Sequence, residues 1–262
     1  MKTRILRVVA GKSRVVSDLL AVEEPLEIRV DNHPVSVTLR TPGDDEELAA
    51  GFLVSEGLIR CRSDLLNIKS HPRSGKGNVV NVFTAPDVKV DLKKLTRHVF
   101  ASSSCGLCGL ATIEAVRKNF SPVASKARVR AGILRGLPEK LKASQRIFAE
   151  TGGLHAAALF AANGELQVLR EDVGRHNAVD KVIGHQFLRG QWPAGDILLI
   201  SGRASFEIMQ KALAGCIPVV CAISAPSSLA VNFARRSGQT LVGFLRGDRM
   251  NVYAGRGRVV LE

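Results

Sequence analysis

In the N-terminal part of the chain, apolar positions recur with a period of two. Leu26, Ile28 and Val30 share one face of an extended segment, and Val35, Val37 and Leu39 resume that period after Asn32-His33-Pro34, which predicts a β-hairpin. Thr41-Pro42-Gly43 then turns the chain, Asp44 is placed to cap a helix, and Glu46 and Glu47 suit its positive end. Leu48, Ala49, Phe52 and Leu53 are spaced as the buried stripe of that helix, and Gly57 is placed to stop it. A further strand is predicted over 78–85, after the turn Ser74-Gly75-Lys76-Gly77.

From Ser104 onward the texture changes. Apolar strand-like runs at 154–161, 165–169, 197–200, 217–223 and 240–245 alternate with helical patterns at 177–188, 206–214 and 227–236, and Asn163-Gly164 joins the first two strands. Repeated strand-helix-strand units imply an α/β core: a mostly parallel sheet with helices on both faces. Two domains are therefore expected, a β-rich N-terminal lobe with one helix (residues 1–97) and the α/β core (residues 98–262). No internal repeat is evident.

A chain of 262 residues with 45% hydrophobic and 23% charged residues can bury a sizeable core without staples. The apolar run from Ala212 to Ile223 is too short to span a bilayer and contains Pro218. No apolar segment of the export type follows Lys2, Arg4 and Arg7, so a cytoplasmic protein without a membrane partner is expected. Five cysteines, an odd number, then read as thiols for chemistry rather than as a disulfide framework. The net charge of +13 favours a polyanionic partner: a nucleic acid, a phosphorylated cofactor or an acidic protein face.

The most reactive-looking segment is Ser104-Cys105-Gly106-Leu107-Cys108-Gly109, where two thiols precede a predicted helix over 110–118. A helix N-terminus favours the thiolate, the nucleophilic form. A structural zinc site, a redox pair and a persulfide carrier all fit one Cys-x-x-Cys. A zinc deaminase does not, because Ser104 stands where its signature has proline and no His-x-Glu occurs in the chain.

Three polar junctions look like anion cradles at strand ends: Thr151-Gly152-Gly153-Leu154-His155, Arg170 to Asn177, and Ser201-Gly202-Arg203-Ala204-Ser205. The absence of Gly-x-Gly-x-x-Gly and of a Walker-type lysine loop removes support from ordinary dinucleotide and NTPase folds. Phe244-Leu245-Arg246-Gly247-Asp248-Arg249 offers two arginines for phosphate and an aspartate able to accept from the edge of guanine, though the residues by themselves slightly favour a hairpin turn with solvated charges. His155 and His176 are candidate acid–base groups.

Taken together, Glu24-Pro25-Leu26-Glu27-Ile28, residues 40–49, the Cys105 to Cys108 loop, residues 151–157, residues 171–181, Ser201-Gly202-Arg203 and residues 243–253 resemble the formate dehydrogenase accessory sulfurtransferases, the FdhD family. The resemblance covers nearly the whole chain and is weakest over 69–95. It implies a sulfur carrier that takes persulfide sulfur from a cysteine desulfurase and passes it to bis-molybdopterin guanine dinucleotide, cargo destined for formate dehydrogenase. It implies Cys105 as the persulfide carrier, Cys108 as an assisting thiol, and Phe244, Leu245, Arg246, Gly247, Asp248 and Arg249 as the guanine-dinucleotide segment. It further implies a cytidine-deaminase-like core without catalytic zinc or any other structural metal, and a homodimer that binds no nucleic acid. His155, Asp172 and His176 are expected to line the same cavity. Two rivals remain: a thiol-disulfide redox protein needing Cys105 and Cys108 equally, and a nucleic-acid-binding module indifferent to both.

Overall fold

The computed structural model describes residues 1–72, 78–88 and 120–261. The expected lobe boundary at 97/98 and the predicted helix over 110–118 lie outside the described residues. Two larger sheets organise the rest. The N-terminal one has the order β4-β3-β6-β5, from β3 (Glu24–Val30), β4 (His33–Arg40), β5 (Leu65–Pro72) and β6 (Asn78–Thr84). The C-terminal one has the order β13-β12-β11-β10-β8-β9, from β8 (His155–Phe160), β9 (Leu166–Asp172), β10 (Ile197–Ile200), β11 (Val219–Ala222), β12 (Thr240–Arg246) and β13 (Arg249–Ala254).

The predicted hairpin is β3–β4, turning at Asp31 and Asn32 with φ of 47° and 70°, the backbone of a tight hairpin turn. Leu26, Ile28, Val30 and Val35 are buried as expected, but Val37 and Leu39 are 61% and 55% exposed. A bulge between Ile28 and Arg29 leaves Val35 as the extra residue on β4, so it turns inward and the period breaks behind it. Arg40 takes an inward position instead, fully buried and held by both carboxylate oxygens of Asp45 at 2.8 Å. An N-terminal hairpin, β1 (Lys2–Val9) and β2 (Lys12–Leu19), pairs only with itself and carries exposed Leu6, Val8, Val9 and Val15. Its sequence lacks a clean period of two, because basic residues interrupt its apolar positions.

Helix α1 (Asp45–Ser55) starts where expected, but Asp44 is in the left-handed region and makes no cap. Its carboxylate instead lies 3.3 Å from Arg170. Gly57 ends the helix at φ 72° in a Schellman arrangement, with Gly57 N–H bonded to Val54 and Leu58 N–H to Leu53. The helix is buried nearly all round because it lies between the four-stranded sheet and α4 (Arg175–Leu188). Their axes approach closely: a β-carbon at Gly51 would stand 1.9 Å from the Asp180 carbonyl oxygen, and one at Gly184 1.9 Å from that of Glu47.

The C-terminal sheet is mixed, not mostly parallel. Only β12, β11 and β10 run parallel to their neighbours within that trio. β9 and β13 are antiparallel additions, because Asn163-Gly164 and Gly247-Asp248 form tight hairpins that reverse the chain, and β8 joins β10 antiparallel without such a turn. Helices cover both faces. Ala157, Leu159, Leu198, Ile200 and Val220 pack with α4, α5 (Phe206–Ala214) and α6 (Ser228–Ser237), in an apolar cluster continuous with Leu26, Ile28 and Leu48 of the N-terminal part. Ala156, Ala158, Phe160, Ile197 and Leu199 face the other way, onto Leu134, Leu137 and Leu141 of α2 (Ala131–Ser144). α2 and α3 (Arg146–Thr151) were not predicted. Among the described residues no helix is long and apolar enough to cross a membrane.

Candidate functional site

The parallel trio sends the carboxyl ends of β10, β11 and β12 to one edge of the sheet, and the antiparallel partners bring the start of β8 and the end of β9 to the same edge. With strands about 4.8 Å apart, the edge from β9 to β13 spans about 24 Å. It carries, in order, Asp172, His155, residues 201–205, residues 224–227, and the 244–249 turn. Helices α4, α5 and α6 all begin here, after β9, β10 and β11. Their dipoles make the edge favourable to anions, while Ser227 Oγ accepts from the Ala230 amide at the start of α6 and Glu207 accepts from its own amide at the start of α5.

All three junctions read from the sequence reach this edge, the first through His155, but the first offers no helix N-terminus. Thr151 ends α3, and Gly152, at φ 66°, is its C-cap, donating to the Phe148 carbonyl. That is the negative end of a helix. Ser201 is locked to β8, its hydroxyl accepting from the Ala156 amide at 2.9 Å. Gly202 lies beside both His155 and Arg175: a β-carbon there would be 3.5 Å from His155 Nδ1 and from Arg175 Cδ.

Burial, then Lys211 and Arg175, lower His176 to about 4; burial and Arg175 lower His155 against the pull of Asp172. Both imidazoles are neutral at pH 7, each with one donor and one acceptor nitrogen. His176 Nε2 is 3.4 Å from Ser205 Oγ and 4.0 Å from Glu207 Oε2. Burial alone would raise Glu207, but hydrogen bonding from Ser205 holds it below the usual carboxylate range. Arg175 Nε is buried without a hydrogen-bond partner.

Asp172 differs from the two histidines. It is fully buried, and its oxygens accept from the Thr41 amide (3.1 Å), the Gly174 amide (2.8 Å) and Asn177 Nδ2 (2.9 Å), and pair with Lys181 Nζ at 2.8 Å. Its capacity is used inside the protein, so it shapes the turn before α4 and does not line a cavity. β9 extends through 170–172, read from the sequence as loop, because His155 pairs with Asp172 in register.

At the far end of the edge, Leu245 is buried while Arg246, Gly247, Asp248 and Arg249 are exposed around a tight turn. Phe244 has φ 52°, uncommon for an aromatic residue, and its amide donates to the Ser224 carbonyl at 3.1 Å. The register shift between Gly243 and Arg246 turns the Phe244 ring out beside both arginines, whose guanidinium carbons lie 5.7 Å and 6.0 Å from its centroid. A flat ring flanked by two cations suits a base carrying phosphates.

Cys105 and Cys108 lie outside the described residues. Of the other cysteines, Cys61 and Cys216 are exposed, and burial in β11 pushes the Cys221 thiol up to about 12, leaving it inert. Among the described residues no group of three His, Cys, Asp or Glu is arranged to hold a metal ion. Sequence reading held Arg175 only as part of the second junction, and missed Glu207 as a member of the site and Lys181 as the partner of Asp172. A lysine amid Val179, Val182 and Ile183 was the available signal for a buried ion pair.

Comparison with known proteins places the chain among relatives. A crystal structure described as that of a formate dehydrogenase accessory protein from Desulfotalea psychrophila superposes with a TM-score of 0.80 at 25% identity, covering 99% of each chain. The sulfur carrier protein FdhD of Streptomyces coelicolor is 52% identical over 270 residues, 100% of this chain and 96% of the relative. That of Mycobacterium tuberculosis is 52% identical over 253 residues, 92% of each. The family model described as FdhD/NarQ matches residues 21–260, and the chain belongs to that family.

Proposed function

We infer that this protein is a sulfur carrier for formate dehydrogenase maturation, acting as a sulfurtransferase through a persulfide on Cys105. The observation that carries the reading is the match over 100% of the chain to a relative named sulfur carrier protein FdhD, in a sequence that has two thiols at Cys105 and Cys108. The Cys105 thiolate attacks the outer sulfur of a cysteine desulfurase persulfide; the donor's sulfur–sulfur bond breaks, a new one forms on Cys105, and the donor leaves as a thiolate. Release of that sulfur as sulfide takes two electrons. Attack of the Cys108 thiolate on the inner sulfur of Cys105 supplies them and leaves a Cys105–Cys108 disulfide.

The acceptor in this reading is bis-molybdopterin guanine dinucleotide, bound as cargo along the sheet edge. Guanine stacks by Phe244, Arg246 and Arg249 take phosphate, and the exposed Asp248 accepts from the base. The helix N-termini beside His155 and Arg175 favour the rest of the anionic ligand. A mixed sheet with helices on both faces supports likening the core to a cytidine deaminase without its zinc. We place the protein in the cytoplasm as a homodimer, with the β-rich lobe (1–97) and the α/β core (98–262) as its two domains.

Mass spectrometry after incubation with a cysteine desulfurase and cysteine tests the carrier role. One added, reductant-labile sulfur is expected in the wild type and in Cys108→Ser, and none in Cys105→Ser. An internal disulfide with no sulfur gained would favour the thiol-disulfide rival and overturn the reading.

A further inference from the structure

Thr41 joins β4 to α1 and stands off the sheet edge, yet its amide, carbonyl and hydroxyl oxygen are all bonded to the segment that leads into and along α4. Its amide donates to Asp172 Oδ2 at 3.1 Å, its carbonyl accepts from Lys181 Nζ at 2.9 Å, and its hydroxyl oxygen accepts from the Val173 amide at 3.1 Å. Side chains on a helix lean toward its N-terminus, which is how Lys181 reaches back to residue 172. Thr41, Asp172 and Lys181 are 5%, 0% and 1% exposed. Asn177 adds a second fastening, donating to the Leu39 carbonyl at 2.8 Å and to Asp172 Oδ1 at 2.9 Å. The turn that carries Arg175 and His176 to the site is therefore clamped by the end of β4, more than 130 residues away in sequence.

We propose that Thr41 is a positioning residue for the site: through Asp172, Val173 and Lys181 it fixes the turn before α4 and so sets where Arg175 and His176 stand at the sheet edge. The proposal rests on the reading of that edge as the seat of a guanine-nucleotide cofactor. It makes the N-terminal sheet part of the machinery that shapes the site, beyond covering the core. A ligand gripped at this edge and at the 244–249 turn then depends on residues of both sheets.

The test uses the full chain. Thr41→Val keeps the shape and the backbone bonds but leaves the half-buried Val173 amide without its partner; Thr41→Ser keeps the hydroxyl. Gln186→Leu is the control, since it removes a buried bond to the Ala194 carbonyl (3.0 Å) nearer the other end of the same helix. Guanosine diphosphate affinity is measured by calorimetry, the ring signals of His176 are followed by NMR against pH, and melting is recorded for each variant. Lys211, Arg175, Glu207 and His155 are the charged or titratable groups acting on His176.

Thr41→Val and Gln186→Leu should both melt lower. Only Thr41→Val should weaken guanosine diphosphate binding, by about fivefold for one lost hydrogen bond. It alone should move the His176 signals and raise the titration midpoint from about 4 as water reaches the ring. Thr41→Ser should restore both. Asn177→Ala, which cuts the second fastening, should shift the His176 signals in the same sense and serves if Thr41→Val does not fold. If melting falls while affinity and His176 signals stay as in Gln186→Leu, Thr41 is merely structural and the proposal is overturned. If the wild type does not bind guanosine diphosphate, the cofactor reading fails on its own, and the His176 titration still decides the role of Thr41.

Discussion

The junction between the two sheets and the edge of the C-terminal sheet are both rich in charge, and they use it in opposite ways. At the junction, Asp180 accepts from Lys211 at 2.7 and 2.9 Å and from Ser55 at 2.7 Å, and Asp172 is paired with Lys181; all four charges are buried. Glu47 on α1 holds Arg170 of β9 with two bonds and His185 of α4 with a third. Burial alone would raise Glu47, but these partners keep it below the usual carboxylate range. At the edge, by contrast, Arg246, Asp248 and Arg249 face solvent and Arg175 has a buried donor without a hydrogen-bond partner. Charges saturated within the protein hold parts together, whereas unspent hydrogen-bonding capacity at a cleft is what a ligand can use.

The sharpest way to break this contrast is at the helix contact beneath the junction. Gly184→Ala drives a β-carbon into the Glu47 carbonyl, a backbone atom that cannot move aside cheaply. Urea unfolding should show a loss of more than about 3 kcal/mol, or no folded protein at all. A variant as stable as the wild type would mean that α1 and α4 are not in this close contact. Next in size is Lys211→Met, which strands Asp180 without its cation in buried surroundings. A loss of about 3 kcal/mol is expected, and the double variant Lys211→Met, Asp180→Leu should recover part of it. If the double variant is no more stable than the single one, the charge pair is not what holds the junction.

The smallest stability effect belongs to the edge. Arg246→Ala with Arg249→Ala should leave the melting curve within about 0.5 kcal/mol of wild type while lowering affinity for guanosine diphosphate by tenfold or more, measured by calorimetry. A large loss of stability would move these arginines into the structural class, and unchanged affinity would remove them from the site.

How much of this was legible in the sequence varies by element. The β3–β4 hairpin, the stop of α1 at Gly57 and the hairpin at Asn163-Gly164 follow from neighbouring residues, because period-two alternation and left-handed turn residues act over a few positions. Val37 and Leu39 were assigned inward because a single bulge opposite Arg29 carries no local signature. The antiparallel placement of β8 was hidden for the same reason: which strand neighbours which is decided by packing of α4 and α2 on the two faces, not by either strand's own residues.

The candidate site divides along the same line. The sequence by itself determined the chemistry on offer: two thiols at Cys105 and Cys108, two arginines about a glycine turn at 246–249, two loop histidines, and enough combined signature to indicate the family. Only the tertiary structure decided which polar groups are free to use it. Asp172, His155 and His176 look alike as loop residues, yet Asp172 is consumed by Thr41, Gly174, Asn177 and Lys181 while the histidines stay at the edge. A side chain's availability depends on all the partners the fold assembles around it, Thr41 from more than 100 residues away among them, and hydrogen-bond saturation is a property of that assembled neighbourhood, which no local window of sequence contains.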